Sequence, residues 1–139
     1  MQHQITTEWF ERKSKLNNHK LNKQITTMNN LRNSVRLIGN LGMNPESREI
    51  AADRKVVKFS IATSETHKDK QGNKIVDTQW HNITCWGKQA EIAEKYLQKG
   101  SEVAVEGKLV NRSYTDKNGV KKFSTEIVVN ELLLMGKKN

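Results

Sequence analysis

Trp80 and Trp86 stand six residues apart in the stretch TQWHNITCWG, Thr78 to Gly87. Read with the two-residue period of a β-strand, they share a parity with Asn82 and Thr84, whereas His81, Ile83 and Cys85 form the more apolar parity. A chain with only 6% aromatic residues thus places two of its three tryptophans on the wetter side of one strand. Exposed flat rings beside hydrogen-bonding groups suit base stacking, because every nucleobase has a π-face whatever its identity. The other use of such residues is packing, under loops or against a partner subunit, since tryptophan is usually mostly buried.

The surrounding charge favours stacking. Lys68, Lys70 and Lys74 lie in the loop region before this strand, and Arg112, Lys117, Lys121 and Lys122 lie in a later hairpin, with Tyr114 on the parity of Arg112. Phosphates and bases alternate along a single nucleic-acid strand, so a binder needs cations and aromatic faces together. The net charge of +9 and pI near 9.7 point the same way, with nucleic acid the first candidate polyanion and an anionic membrane surface the second.

Catalysis finds little support in the residues. A nuclease would need clustered carboxylates around a divalent metal, but Glu46, Glu49, Asp53, Glu65, Asp69, Asp77 and Asp116 are scattered over turns and loops. No His/Cys/Asp spacing suggests a metal-ligand set, so no enzyme activity, metal or cofactor is expected. Cys85 is the single cysteine and sits on an apolar parity, which predicts a packed thiol in a reduced, cytoplasmic setting. With no run of about twenty apolar residues and no apolar signal core at the N-terminus, an unexported protein without a membrane partner is expected.

The elements that must position these side chains follow in order. Residues 1–33 are rich in Gln, Asn, Thr and Lys and read as a mobile N-terminal tail with a short helix around Glu8 to Leu16; an alternative reading starts the natural protein at Met28. From Ser34 to Gly136 one domain is expected, and 137–139 form a C-terminal end. Its strands are VRLIGNLG, with Gly39 and Gly42 marking a bend; KVVKFSIATS, with Val57, Phe59, Ile61 and Thr63 inward; the tryptophan strand; SEVAVEGKLV, with Val103, Val105, Gly107 and Leu109 on one side; and KFSTEIVVNELLL, with Phe123, Thr125, Ile127 and Val129 inward. A helix over Lys88 to Gln98, with Ala90, Ile92, Ala93, Tyr96 and Leu97 on its apolar face, ends at Gly100. An all-β chain with one helix between strands three and four has the element order of the OB-fold, a five-stranded, partly open Greek-key barrel.

The segments VRLIGNLGMNPESR, KFSIATSETHKDK, TQWHNITCWGKQAEIAEKYLQKGSEVAVEGKL and RSYTDKNGVKKFSTEIVVN resemble the bacterial single-stranded DNA-binding protein family over about Asn33 to Gly136. The resemblance implies sequence-independent binding of single-stranded DNA in replication, recombination and repair by a nucleoid-associated homotetramer. It implies that Trp80, Trp86 and Tyr114 are base-stacking positions and that His67 stands where the family usually has a fourth, tryptophan. Lys68, Lys70, Lys88 and Arg112 match basic positions along the DNA path, and His81 matches a subunit-interface histidine. Asn82 lacks a charge often found beside that histidine. Family members usually continue into an acidic, aromatic-tipped tail, whereas this sequence ends LLLMGKKN, so tail-mediated recruitment of replication partners is not expected.

Overall fold

The computed structural model describes residues 2–137, so Lys138 and Asn139 of the expected C-terminal end lie outside the described residues. The chain divides into two units, residues 1–33 and 34–139. The first is a helix, α1 (Gln2–Arg32), where composition predicts a tail with one short helical turn region. The apolar periodicity used to find helices is weak here, but no Gly or Pro interrupts these residues, and Gln, Lys, Glu, Leu and Met all favour helix. Among the described residues this helix is far longer than the short one expected around Glu8 to Leu16.

The second unit contains β1 (Val35–Leu41), β2 (Glu46–Ala51), β3 (Arg54–Lys68), β4 (Lys74–Trp86), α2 (Gly87–Tyr96), β5 (Ser101–Thr115) and β6 (Lys121–Lys137). Hydrogen bonding runs β1-β5-β6-β4-β3-β2, and a short β1–β3 pairing closes the ring. Five strands, β1, β3, β4, β5 and β6, thus form the expected barrel, with α2 between its third and fourth members. The sixth strand, β2, was not foreseen; it folds back on β3 as an outer hairpin and is exposed throughout. An exposed strand has no alternating apolar signal to betray it.

Closure depends on two glycines at close backbone approaches. A Cβ on Gly39 would lie 2.5 Å from the Ala62 carbonyl oxygen, and one on Gly107 would lie 2.1 Å from that of Val128. The core inside is filled by Leu41, Val57, Phe59, Ile61, Ile83, Cys85, Val103, Val105, Ile127 and Val129, and capped by Ala90, Ala93 and Leu97 of α2. Burial pushes the Cys85 thiol up to about 12, in keeping with a packed thiol.

The inward pattern holds only where a strand belongs to the barrel. Phe123, Thr125 and Leu109 are exposed because the β5–β6 hairpin projects beyond the core and its inner parity has nothing to cover; Tyr96 is exposed at the end of α2. Thr84, expected on the wet side, is 2% exposed, because it lies where β4 pairs with β6 and its hydroxyl is taken up by Glu126. Among the described residues no helix is long and apolar enough to cross a membrane, and none of their His, Cys, Asp or Glu side chains cluster as a metal site would require.

Candidate nucleic-acid interface

In an antiparallel pair, directly opposed residues point to the same face, so register assigns each candidate side chain to a side. The β3–β4 register runs unbroken from Val56↔Trp86 through Lys58↔Thr84, Ser60↔Asn82 and Ala62↔Trp80 to Lys68↔Lys74. Trp80, Asn82, Trp86, Lys58, Lys68 and Lys74 therefore share one face of a continuous ribbon. Trp80 is 61% exposed and Trp86 39%, so both rings are presented to solvent rather than packed away. Six residues separate them, roughly 20 Å along an extended strand.

The second ribbon joins this face. In the β5–β6 hairpin, Val110↔Glu126, Arg112↔Ser124 and Tyr114↔Lys122 share a side, and the parallel β4–β6 contact, Thr84↔Val128, aligns that side with the tryptophan face. Where the ribbons meet, the Thr84 hydroxyl donates to Glu126 Oε2 at 2.7 Å and Arg112 Nε donates to Glu126 Oε1. Burial by itself would raise the Glu126 pKa, but the hydrogen bonds from Arg112 and Thr84, with the charges of Arg112 and Lys58, outweigh it and hold the carboxyl below its ordinary value. Glu126 is thus an ionised, mostly buried anchor that fixes Arg112, whose side chain remains more than half exposed. Trp86, Arg112, Lys58 and Arg48 line one cleft of about 530 Å³ at this junction.

Both hairpin tips are built alike, and each presents a lysine. In Asp69-Lys70-Gln71-Gly72-Asn73 and Asp116-Lys117-Asn118-Gly119-Val120, the aspartate Oδ1 accepts from the amides two and four residues on, at 2.8–2.9 Å. The glycine takes φ of 84° and 78° respectively, a conformation that other residues rarely adopt. Those backbone bonds pull the Asp69 carboxyl below the ordinary carboxylate range. Lys70 and Lys117 thereby stand on defined turns at the ends of the two ribbons, while Lys88 is exposed in the first turn of α2, two residues after Trp86.

Not every residue singled out by sequence reaches this face. His67 lies opposite Ile75, one register step off the tryptophan parity, and its Nδ1 sits 3.3 Å from Asp77 on the reverse side of the ribbon. Lys121 likewise falls on the parity opposite Tyr114 and lies over the Phe123 ring, 5.5 Å from its centroid. Lys122 is on the tryptophan side but is ion-paired with Asp116 at 3.5 Å. His81 points to the other parity, half-buried, with Nε2 2.9 Å from the Thr63 hydroxyl.

Three residues have a role at this face that the sequence does not assign to them. Lys58 sits between the two tryptophans, and its wet parity in β3 was the available signal. Glu126 gave no signal, because its partners lie on other strands. Gly42 supports Trp80: a Cβ there would lie 2.4 Å from the indole Cζ3, so a bare backbone is needed for the ring to lie where it does.

Residues 32–135 match the Single-strand binding protein family. Single-stranded DNA-binding protein 1 of Chlorobaculum tepidum is 49% identical over 108 residues, which cover 77% of this chain and 67% of that protein. The Single-stranded DNA-binding protein of Neisseria meningitidis serogroup A is 45% identical over 107 residues, covering 77% of this chain and 62% of that protein. This chain thus spans about two thirds or less of the length of these relatives. Among solved structures, the Plasmodium falciparum SSB complex with ssDNA is similar with a TM-score of 0.66 and 32% identity, covering 74% of this chain and 94% of that one.

Proposed function

The chain belongs to the single-strand binding protein family, and from that premise we propose that it binds single-stranded DNA without regard to sequence and acts in replication, recombination and repair. The observation that carries this reading is the single face shared by exposed Trp80 and Trp86 with Lys58, Arg112, Lys68 and Lys74. Bases stack on the indoles and Tyr114 while the cations neutralise phosphates along both ribbons. Lys70, Lys88 and Lys117 extend the charge to the margins. His67 and Lys121 take secondary places, reached only if the strand wraps around a ribbon edge.

Quenching of tryptophan fluorescence by oligo-dT, with duplex DNA as competitor, tests the reading. Trp80→Ala and Trp86→Ala should each weaken binding by about 1–3 kcal/mol, a range established on single-strand binders themselves. Folded variants that bind as wild type would sink it.

A homotetramer is part of the proposal. Its support is apolar surface along β1 and β6, where Ile38 is 59% and Leu133 62% exposed beside Met135, a face that a second copy could cover. Sedimentation of wild type against Ile38→Glu tests it: a wild type that sediments as a monomer overturns the assembly.

A further inference from the structure

The barrel's face leaves one basic and aromatic surface of the protein unused. On α1, Trp9, Arg12, Lys13, Leu16, Lys20 and Lys23 recur at i, i+3, i+4, i+7, i+11 and i+14, the spacing that brings side chains onto one side of a helix. All six are exposed, Trp9 by 52%. Glu8 and Glu11 fall off this line, and among the described residues none of the four cations is ion-paired. The Lys13 ammonium lies over the Trp9 ring, 4.4 Å from its centroid, so charge and π-face are presented side by side.

We propose that this stripe of α1 is a second binding surface for single-stranded nucleic acid, separate from the barrel face. From Arg12 to Lys23 the four cations extend over roughly 16 Å at 1.5 Å per residue, room for several phosphates. Trp9 supplies a stacking ring at one end. A membrane surface is the weaker partner, because an interfacial helix segregates its apolar side from its cations, whereas Trp9 and Leu16 stand in line with the lysines. A protein partner would not need four like charges in a row. The proposal rests on the single-strand reading only for the kind of polyanion, since it invokes none of the barrel's residues.

The test uses the full chain with Arg12, Lys13, Lys20 and Lys23 all changed to glutamine, which keeps helix propensity nearly constant. Each phosphate contact on a single strand contributes about −0.7 to the slope of log K against log salt, so the variant's slope on a long oligo-dT should be less negative by about 3. In parallel, an oligo-dT carrying 5-iodouracil should photocrosslink to Trp9 in wild type, mapped by peptide mass spectrometry. An unchanged slope overturns the proposal, and so does the absence of a Trp9 crosslink. Binding of wild type, but not the variant, to vesicles of equal phosphatidylglycerol and phosphatidylcholine, with no Trp9 crosslink to DNA, would assign the stripe to membranes instead. Failure of the barrel reading stays distinguishable, because Trp80→Ala and Trp86→Ala are scored separately and leave α1 untouched.

Discussion

Replacing Arg112 with alanine should destabilise the protein at neutral pH and cease to do so in acid. The Glu126 side chain is 11% exposed and the Arg112 side chain 56%, so the carboxylate is the member that water cannot easily rescue. Removing one partner of a fully buried ion pair costs about 3–5 kcal/mol, and a charge-assisted hydrogen bond contributes about 1.5–3. Because Arg112 is half in water and Thr84 still donates to Glu126, the lower end applies, about 2 kcal/mol at pH 7. At about 4–8 °C per kcal/mol for a domain of this size, Tm should fall by roughly 10 °C. In wild type the Glu126 pKa is depressed below 4.5, so its contribution is present above the unfolded-state pKa and is lost as pH falls through the folded one. Without Arg112 both its hydrogen bond and its charge are lost, so that pKa rises relative to wild type. The gap between the two proteins is therefore complete at pH 7 and narrows in acid, closing as pH falls through the lowered wild-type Glu126 pKa and both carboxyls become protonated. Urea unfolding at both pH values, at one protein concentration so that subunit association is held fixed, measures it. Glu126→Gln in the Arg112→Ala background should recover part of the neutral-pH loss. Equal midpoints at pH 7, or a gap undiminished at pH 3, would refute the reasoning.

Gly42→Ala should weaken oligo-dT binding while leaving the urea midpoint nearly unchanged, because the new methyl displaces the exposed Trp80 ring rather than the core. Gly107→Ala should do the reverse kind of damage, about 3 kcal/mol of stability or more by thermal unfolding, since its Cβ meets the Val128 backbone, which cannot move aside. Lys68→Gln should lower single-strand affinity and flatten its salt dependence by about 0.7, whereas Lys121→Gln, on the reverse face, should change both less in a fluorescence titration. Cys85, fully buried with its thiol pKa near 12, should resist iodoacetamide until the protein is unfolded; rapid native labelling would contradict that burial.

The stacking strand was legible in the sequence because its information is local. Alternation alone separated Trp80, Asn82 and Trp86 from Ile83 and Cys85, and the switch to helical spacing after Gly87 located α2. The same logic misled where nothing covered a strand: Phe123 keeps the inward parity of Ile127 and Val129 yet stands 74% exposed on a hairpin that outruns the core. It was silent for α1, whose apolar residues do not gather on one face, and for β2, exposed along its length. The pairing of Glu126 with Arg112 and Thr84, the support of Trp80 by Gly42, and the sorting of Lys68 from His67 and Lys122 from Lys121 belong to tertiary structure. Each depends on strand register or on contact between residues 14 to 42 positions apart, or, for Gly42, on the bend just past β1 coming up against Trp80 of β4 when the barrel closes. Periodicity tells which side of its own strand a residue takes, but only closure of the barrel decides which strands bring their sides together.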